Sequence, residues 1–216
     1  MLKLSKGPAP EWLVTHGPLK TEEYLAAEPD HRPAPWNTPA LKSALAEECH
    51  HKCMYCEAIP ADTSYLAVEH IQPKSRFPDL VLEWSNLGWS CTRCNTNKGD
   101  FWPEDASLRL IDPFVDDPSE HIAHAGPMVI AANDSMRGAS TIRKCDLNRK
   151  DLMYSKFCRI QDLDRALLMW SSASSNEIRE ALAEDVITLL SAEAEFAAAL
   201  RAFAALRDFD TSDLME

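Results

Sequence analysis

Apolar and polar positions change their spacing three times along the chain, and each change marks a different kind of element. Residues 7–39 carry Pro8, Pro10, Pro18, Pro29, Pro33, Pro35 and Pro39 with no sustained period, which predicts an extended arm or irregular wrapper. Thr38 followed by Pro39 has the form of a helix start, an N-cap and then proline at the first helical position. Leu41, Leu45 and Cys49 follow at helical spacing, so a short helix is predicted to run to about His50. From 60 to 92 the pattern is strand-like. Tyr65-Leu66-Ala67-Val68 leads into Glu69-His70-Ile71, and Trp84 to Ser90 forms a second apolar stretch beyond a loop bounded by Pro73 and Pro78. Beyond 126 the chain reads as helical and alanine-rich. Ser174 with Glu177 has the form of a capping box, and Ile178, Leu182, Val186, Leu189, Phe196, Leu200 and Phe203 continue one apolar stripe facing a core or a partner. The predicted class is α+β: an N-terminal arm over 1–37, a central unit over 38–125 and a mainly α-helical region over 126–216.

Composition adds mainly exclusions. The 216 residues are 45% hydrophobic and 26% charged, values of a globular rather than a disordered chain. No apolar run approaches the ~18 residues of a membrane span, and the first residues lack a signal-peptide core, so a cytoplasmic protein without membrane association is expected. The formal net charge of −12 is distributed unevenly. Residues 134–160 carry seven bases and three acids (7 − 3 = +4), while 51–133 carry six and twelve (6 − 12 = −6). The basic stretch either faces phosphate or is a solvated face paired with the acidic tail.

Cysteine spacing is the strongest chemical signal. Cys53-Met54-Tyr55-Cys56 and Cys91-Thr92-Arg93-Cys94 are two C-x-x-C pairs separated by 34 residues. Two residues between thiolates allow a tight knuckle to place both sulfurs on one ion, and two knuckles complete the tetrahedron of a structural Zn²⁺ site. With every position filled by sulfur, such a metal holds the fold and leaves no place for substrate. His50 and His51 read as helix-end residues, and Cys49, Cys145 and Cys158 as buried small hydrophobes.

The insert between the knuckles carries Glu69-His70-Ile71-x-Pro73-Lys74-Ser75 and Asn86-Leu87, and the second knuckle continues as Cys94-Asn95-x-x-Lys98. A purely structural ribbon has no need of this combination. The run resembles the HNH endonuclease family over roughly residues 49–100, which implies a small ββα-metal core stapled by the four-cysteine zinc site. A further similarity extends over Cys56-Glu57, Phe77-Pro78, Trp84-Ser85-Asn86-Leu87, Phe101-Trp102-Pro103, Pro113-x-x-Asp116-Asp117-Pro118, Gly138-Ala139-x-Thr141-Ile142 and Leu147-Asn148-Arg149. These segments resemble the HNH subunit (PtuB-like) of Septu-type and related retron anti-phage systems.

The resemblance implies roles. His70 matches the general base that deprotonates the attacking water. Asn86 matches the residue whose side chain bonds backbone near the histidine and fixes its ring. Glu69 stands at the aspartate position that holds the catalytic divalent ion, and Asn95 at the position where many members carry a final metal-binding histidine. A longer carboxylate and an amide oxygen suit a hard ion, so Mg²⁺ or Mn²⁺ is expected there. Lys98, one turn beyond Asn95, is expected to contact phosphate, the alternative being that it only solvates that face of the helix. Lys74 and Arg76 either grip the nucleic-acid backbone or lie in an exposed loop. The implied activity is phosphodiester hydrolysis, of DNA in the first instance. An acidic core binds a polyanion poorly, and the resemblance implies a PtuA-like ATPase as the partner that delivers substrate. The alternative reading is a catalytically inactive, zinc-stabilised binding or assembly module.

Overall fold

A computed structural model describes residues 1–60 and 65–211. The N-terminal region departs from the predicted extended arm: Glu11–Ala26 form a 16-residue helix, α1, with Leu13, Gly17 and Tyr24 buried. The prolines explain both the expectation and its failure. Pro10 is the N-cap and Pro29 lies beyond the C-terminus, so only Pro18 interrupts the ladder. Residues 29–38 then cross back over the central unit to α2 (Pro39–Glu48), where the Thr38 hydroxyl accepts from Leu41 N at 3.4 Å. Leu41 and Leu45 are fully buried on its inner face, as the helical spacing requires.

The centre is a two-stranded antiparallel sheet with one helix on it. Strand β1 (Leu66–His70) pairs with β2 (Leu87–Cys91), with Glu69 opposite Gly88 and His70 opposite Leu87. Trp84–Asn86, expected to be strand, form a 3₁₀ turn that precedes β2. Helix α3 (Thr92–Lys98) starts from Cys91, whose sulfur accepts from Cys94 N at 3.5 Å. The first knuckle is pinned across β2, since Met54 N donates to Trp89 O at 2.9 Å. Met54 then lies over Gly88, where a Cβ would come within 2.4 Å of its sulfur, so a larger residue there would make the Met54 side chain shift.

A second hairpin, β3 (Ile122–Ala125) and β4 (Met128–Ala131), stands where the helical region was expected to open, and the first helix after it, α4, spans Met136–Lys144. Helix α5 (Lys150–Ser171) connects two cores. Its first turn contributes Leu152 to the main core around the knuckles, and Ile160, Leu163 and Leu167 join a second core with Val186, Leu190, Leu200 and Phe209. The capping residue of α6 (Asn176–Leu189) is Ser175, not Ser174: its hydroxyl accepts from Ile178 N at 3.3 Å. The apolar stripe is also broken. Ile178 is half exposed, and α7 (Ala197–Ala205) begins only after Phe196, which takes a left-handed backbone (φ 61°) and packs into the main core.

Gly138 fixes the approach of α4 to the second hairpin. A Cβ there would lie 2.1 Å from the His121 carbonyl oxygen, a backbone atom that cannot rotate away. Gly138→Ala is expected to destabilise the protein by about 1–3 kcal/mol, the usual cost of overpacking. Urea unfolding would read this as a lower midpoint, whereas an unchanged midpoint would mean that α4 can lift off the hairpin freely.

Candidate active site and knuckle metal centre

Folding brings the four knuckle cysteines together. The sulfurs of Cys53, Cys56, Cys91 and Cys94 all lie within 4.8 Å of one another and all four residues are buried. The Cys56–Cys91 sulfur separation is 3.8 Å. A tetrahedral Zn²⁺ with bonds of about 2.3 Å requires sulfurs about 3.8 Å apart, so the cluster has the size and donor chemistry of a closed zinc site. Among the described residues no other group of histidines, cysteines or acids has metal-binding spacing. His50 instead lies 3.7 Å from Glu193, and both His50 and His51 take left-handed backbone conformations as the chain turns out of α2. Cys49 and Cys145 are buried as expected, but Cys158 is only half-buried.

Two cations of the basic stretch face this cluster. Arg149 donates from Nη2 to Cys56 Sγ at 3.7 Å and from Nη1 to Cys94 Sγ at 3.9 Å. Lys156 is 3% exposed, and burial pushes its ammonium down to about 8, opposed by the nearby Cys56 and Glu57. Four thiolates around one Zn²⁺ would keep a net negative charge, which these two cations would balance in a dry environment. Arg137 forms an ion pair with Asp116, Lys144 lies 4.3 Å over the Phe101 ring, and Arg159 pairs with Glu195 at 3.2 Å. Most of the basic stretch is thus engaged within the fold.

His70 ends β1 and is 6% exposed. Its Nε2 lies 3.0 Å from the Val81 carbonyl oxygen. A carbonyl only accepts, so Nε2 carries the proton and Nδ1 keeps its lone pair. Burial pushes the ring down to about 4; the Val81 bond opposes this, while Lys74 and Lys98 add to it. A neutral imidazole with a fixed tautomer and a free Nδ1 can take a proton from water near neutral pH. Asn86, also buried, bonds backbone beside this ring: Oδ1 accepts from Gln72 N at 2.7 Å, and Nδ2 donates to Gln72 O and Leu80 O, both at 3.1 Å. It ties the end of β1 to the residue preceding Val81, whose carbonyl orients the ring.

Glu69 faces the other side of the strand, as alternation dictates. It is fully buried, and its Oε1 forms an ion pair with Lys98 Nζ at 2.6 Å. Tyr55 Oη lies 3.5 Å from Oε1, and Ser90 Oγ lies 3.4 Å from Oε2. Burial raises the carboxyl's pKa and Lys98 opposes that rise. Lys98 also donates to His70 O at 2.7 Å, so it points into the fold rather than toward an incoming phosphate. Asn95 donates from Nδ2 to Val68 O at 3.4 Å, which leaves its Oδ1 as the acceptor open to a cation. The oxygens of Glu69 and Asn95 fit a hard divalent ion in donor type, though such an ion would have to share Glu69 with Lys98.

The buried pair makes Lys98 a structural residue first. Lys98→Ala would leave an uncompensated carboxylate inside the core and is expected to cost about 3–5 kcal/mol. Thermal unfolding would register a large loss of Tm. A solvent-facing phosphate contact would instead leave Tm nearly unchanged.

A cleft of about 740 Å³ opens over His70, Glu69 and Asn95. Lys74 lines it and lies 5.2 Å from the Trp36 ring centroid. Arg76 does not line it; its guanidinium is held by the Trp102 carbonyl. Trp36 packs edge-on against the His70 ring, with centroids 4.9 Å apart. Sequence reasoning missed Tyr55, Ser90 and Trp36, and it read Arg149 and Lys156 as part of the basic stretch, not as neighbours of the knuckles. Only Tyr55 had a local signal, as an aromatic inside a knuckle; the others depend on distant segments meeting.

Residues 53–101 match the model of a family described as HNH endonuclease. The match contains both cysteine pairs, Glu69-His70-Ile71 and Cys94-Asn95, the motifs on which the resemblance was read. Over 158 residues the chain is 33% identical to the Septu protein PtuB of Bacillus thuringiensis, covering 72% of this chain and 58% of that protein. Over 154 residues it is 30% identical to the Septu protein PtuB of Bacillus mycoides (strain KBAB4), covering 58% of this chain and 52% of the relative. The chain therefore spans somewhat over half the length of these curated relatives.

Proposed function

We propose that this chain, a relative of Septu PtuB proteins that carries an HNH endonuclease domain over residues 53–101, is the nuclease component of a defence system. Its reaction is metal-dependent hydrolysis of nucleic-acid phosphodiesters, with DNA as the first substrate to test. The carrying observation is the His70 ring, neutral and held with its lone pair on Nδ1 at the floor of a cleft. In this reading His70 Nδ1 takes the proton of the attacking water as that water meets phosphorus. The Val81 carbonyl keeps the proton on Nε2, and Asn86 holds the backbone that presents Val81. Glu69 and Asn95 would hold Mg²⁺ or Mn²⁺; when bound, such an ion supplies positive charge to the phosphate and the leaving oxygen. The four knuckle cysteines would hold Zn²⁺ as a structural ion. Lys74 supplies positive charge at the mouth of the cleft.

The chain is acidic overall, and five of the seven cations of its basic 134–160 stretch (Arg137, Lys144, Arg149, Lys156 and Arg159) are engaged with other groups of the protein. This supports delivery of substrate by a partner of the same system, which in this reading is the PtuA-like ATPase that the sequence resemblance implies. The Glu69–Lys98 pair favours the second reading, an inactive assembly module, because the ammonium already neutralises the carboxylate. Plasmid nicking with Mg²⁺ or Mn²⁺, by the chain alone and co-purified with an ATPase from the same system, separates the two. Metal-dependent nicking in either preparation supports the nuclease, and its absence in both supports the module.

A further inference from the structure

One wall of the cleft over His70 comes from outside the HNH-matched region. The segment between α1 and α2 contributes Arg32 and Trp36, and α1 contributes Tyr24. Arg32 stands out among the cations of the described residues. Its guanidinium lies 4.9 Å over the Tyr24 ring, its Nε is buried with no hydrogen-bond partner, and it forms no ion pair among the described residues. A buried, unsatisfied donor on a fixed cation carries a desolvation cost that binding of an anion would remove.

The backbone there is stiff. A 3₁₀ turn, Pro29–His31, precedes Arg32, which is extended at φ −61°, ψ 129° and followed by Pro33, a neighbour that itself disfavours helical geometry. The side chain is therefore presented from a fixed point, and stacking on Tyr24 restricts it further. Lys74 reaches the same cleft from the β1–β2 connection and lies against Trp36, the ring that packs on His70. Two cations from separate segments thus line the same cleft as the imidazole. A guanidinium offers a planar fork that matches two phosphate oxygens.

We propose that Arg32 binds a backbone phosphate of the nucleic-acid substrate beside His70, with Lys74 as the second cationic contact, so that the N-terminal segment completes the nuclease site. The proposal rests on the nuclease reading and deepens it by assigning a substrate contact that neither the motifs nor the family match contains. The contact is sequence-blind, because it reads phosphate and not base edges.

The test measures binding of a fluorescently labelled DNA duplex by anisotropy across a salt series. It uses the full chain carrying His70→Ala, so that no cleavage intervenes, and includes the co-purified partner if the chain alone binds too weakly. Arg32→Gln is expected to lower affinity roughly tenfold. It should also reduce the dependence of log K on log salt by about one phosphate contact. Arg32→Lys, which keeps the charge and loses the fork, should restore the salt slope and part of the affinity. If Arg32 merely packs on Tyr24, Arg32→Gln lowers Tm while affinity and salt slope stay as in the parent, and the proposal is overturned. Zinc content and far-UV circular dichroism identify a misfolded variant, for which Arg32→Lys against the parent decides: equal affinity also overturns it. A parent that binds no duplex, together with a wild type that nicks none, removes the nuclease reading and this proposal at once.

Discussion

If the chain is the nuclease proposed, His70→Ala is expected to lower phosphodiester cleavage by about 10²–10⁴-fold, the range for loss of a positioned general base, at equal zinc content and with the folded state retained. The ring itself lines the cleft, so its removal opens space that water can enter beside the Val81 carbonyl it leaves. Cleavage by the variant at the wild-type rate, with equal zinc, would place the base elsewhere. A second readout comes from stability. The folded ring binds its proton only near pH 4, below the 6.5 of an unperturbed imidazole. The unfolded chain therefore takes up the proton first as pH falls, and the folded state loses stability between pH 6.5 and 4. At 1.36 kcal/mol per unit the loss amounts to about 3 kcal/mol. Subtracting the stability–pH curve of His70→Ala from that of the wild type should isolate this difference; parallel curves would mean that the ring is solvated.

Stripping the metal from the knuckles, by chelation or by Cys94→Ala, abolishes cooperative folding of the central unit. Structural Zn²⁺ contributes an apparent ~10–16 kcal/mol in small cysteine sites, as much as or more than the ~5–15 kcal/mol by which a whole domain is stable. The knuckles connect α2, β2 and α3, and Arg149 and Lys156 bring the start of α5 to the same sulfurs. Without zinc the thiols protonate, and both cations lose the negative charge that accompanied their burial. Hydrogen exchange should then show protection lost first over β1, β2 and α3. The second core, around Leu163, Leu190 and Leu200, shares none of the knuckle residues and should exchange later. Uniform protection in the metal-free protein would mean that the cluster is dispensable.

Short-range features were legible in the sequence. Thr38-Pro39 starts α2 because a hydroxyl cap and a fixed φ act within one turn, whatever surrounds them. The C-x-x-C pairs specify their own geometry for the same reason, and the family motifs placed His70, Asn86, Glu69 and Asn95 in one unit before their surroundings were known. What the sequence hid was decided by burial and by partners far along the chain. α1 forms despite its prolines because Pro10 falls at its N-cap, Pro29 lies beyond its end, only Pro18 interrupts it, and its Leu13–Tyr24 face is covered. Ile178 leaves the apolar stripe because Phe196 turns the chain into the other core.

Charge shows the division most sharply. A lysine or arginine in a sequence has no direction. Lys98 faces Glu69, Arg149 faces sulfur, Lys156 donates to the Leu147 carbonyl near the knuckles, and Arg76 is held by the Trp102 carbonyl, whereas Arg32 is left without an ion pair in the cleft. The sequence by itself determined the two C-x-x-C knuckles, the ββα core and the match to the HNH endonuclease family model, because each depends on spacing within short segments. Only the tertiary structure decided which cations remain for substrate, because an ion pair forms where desolvation and distance permit, and both depend on segments tens of residues apart.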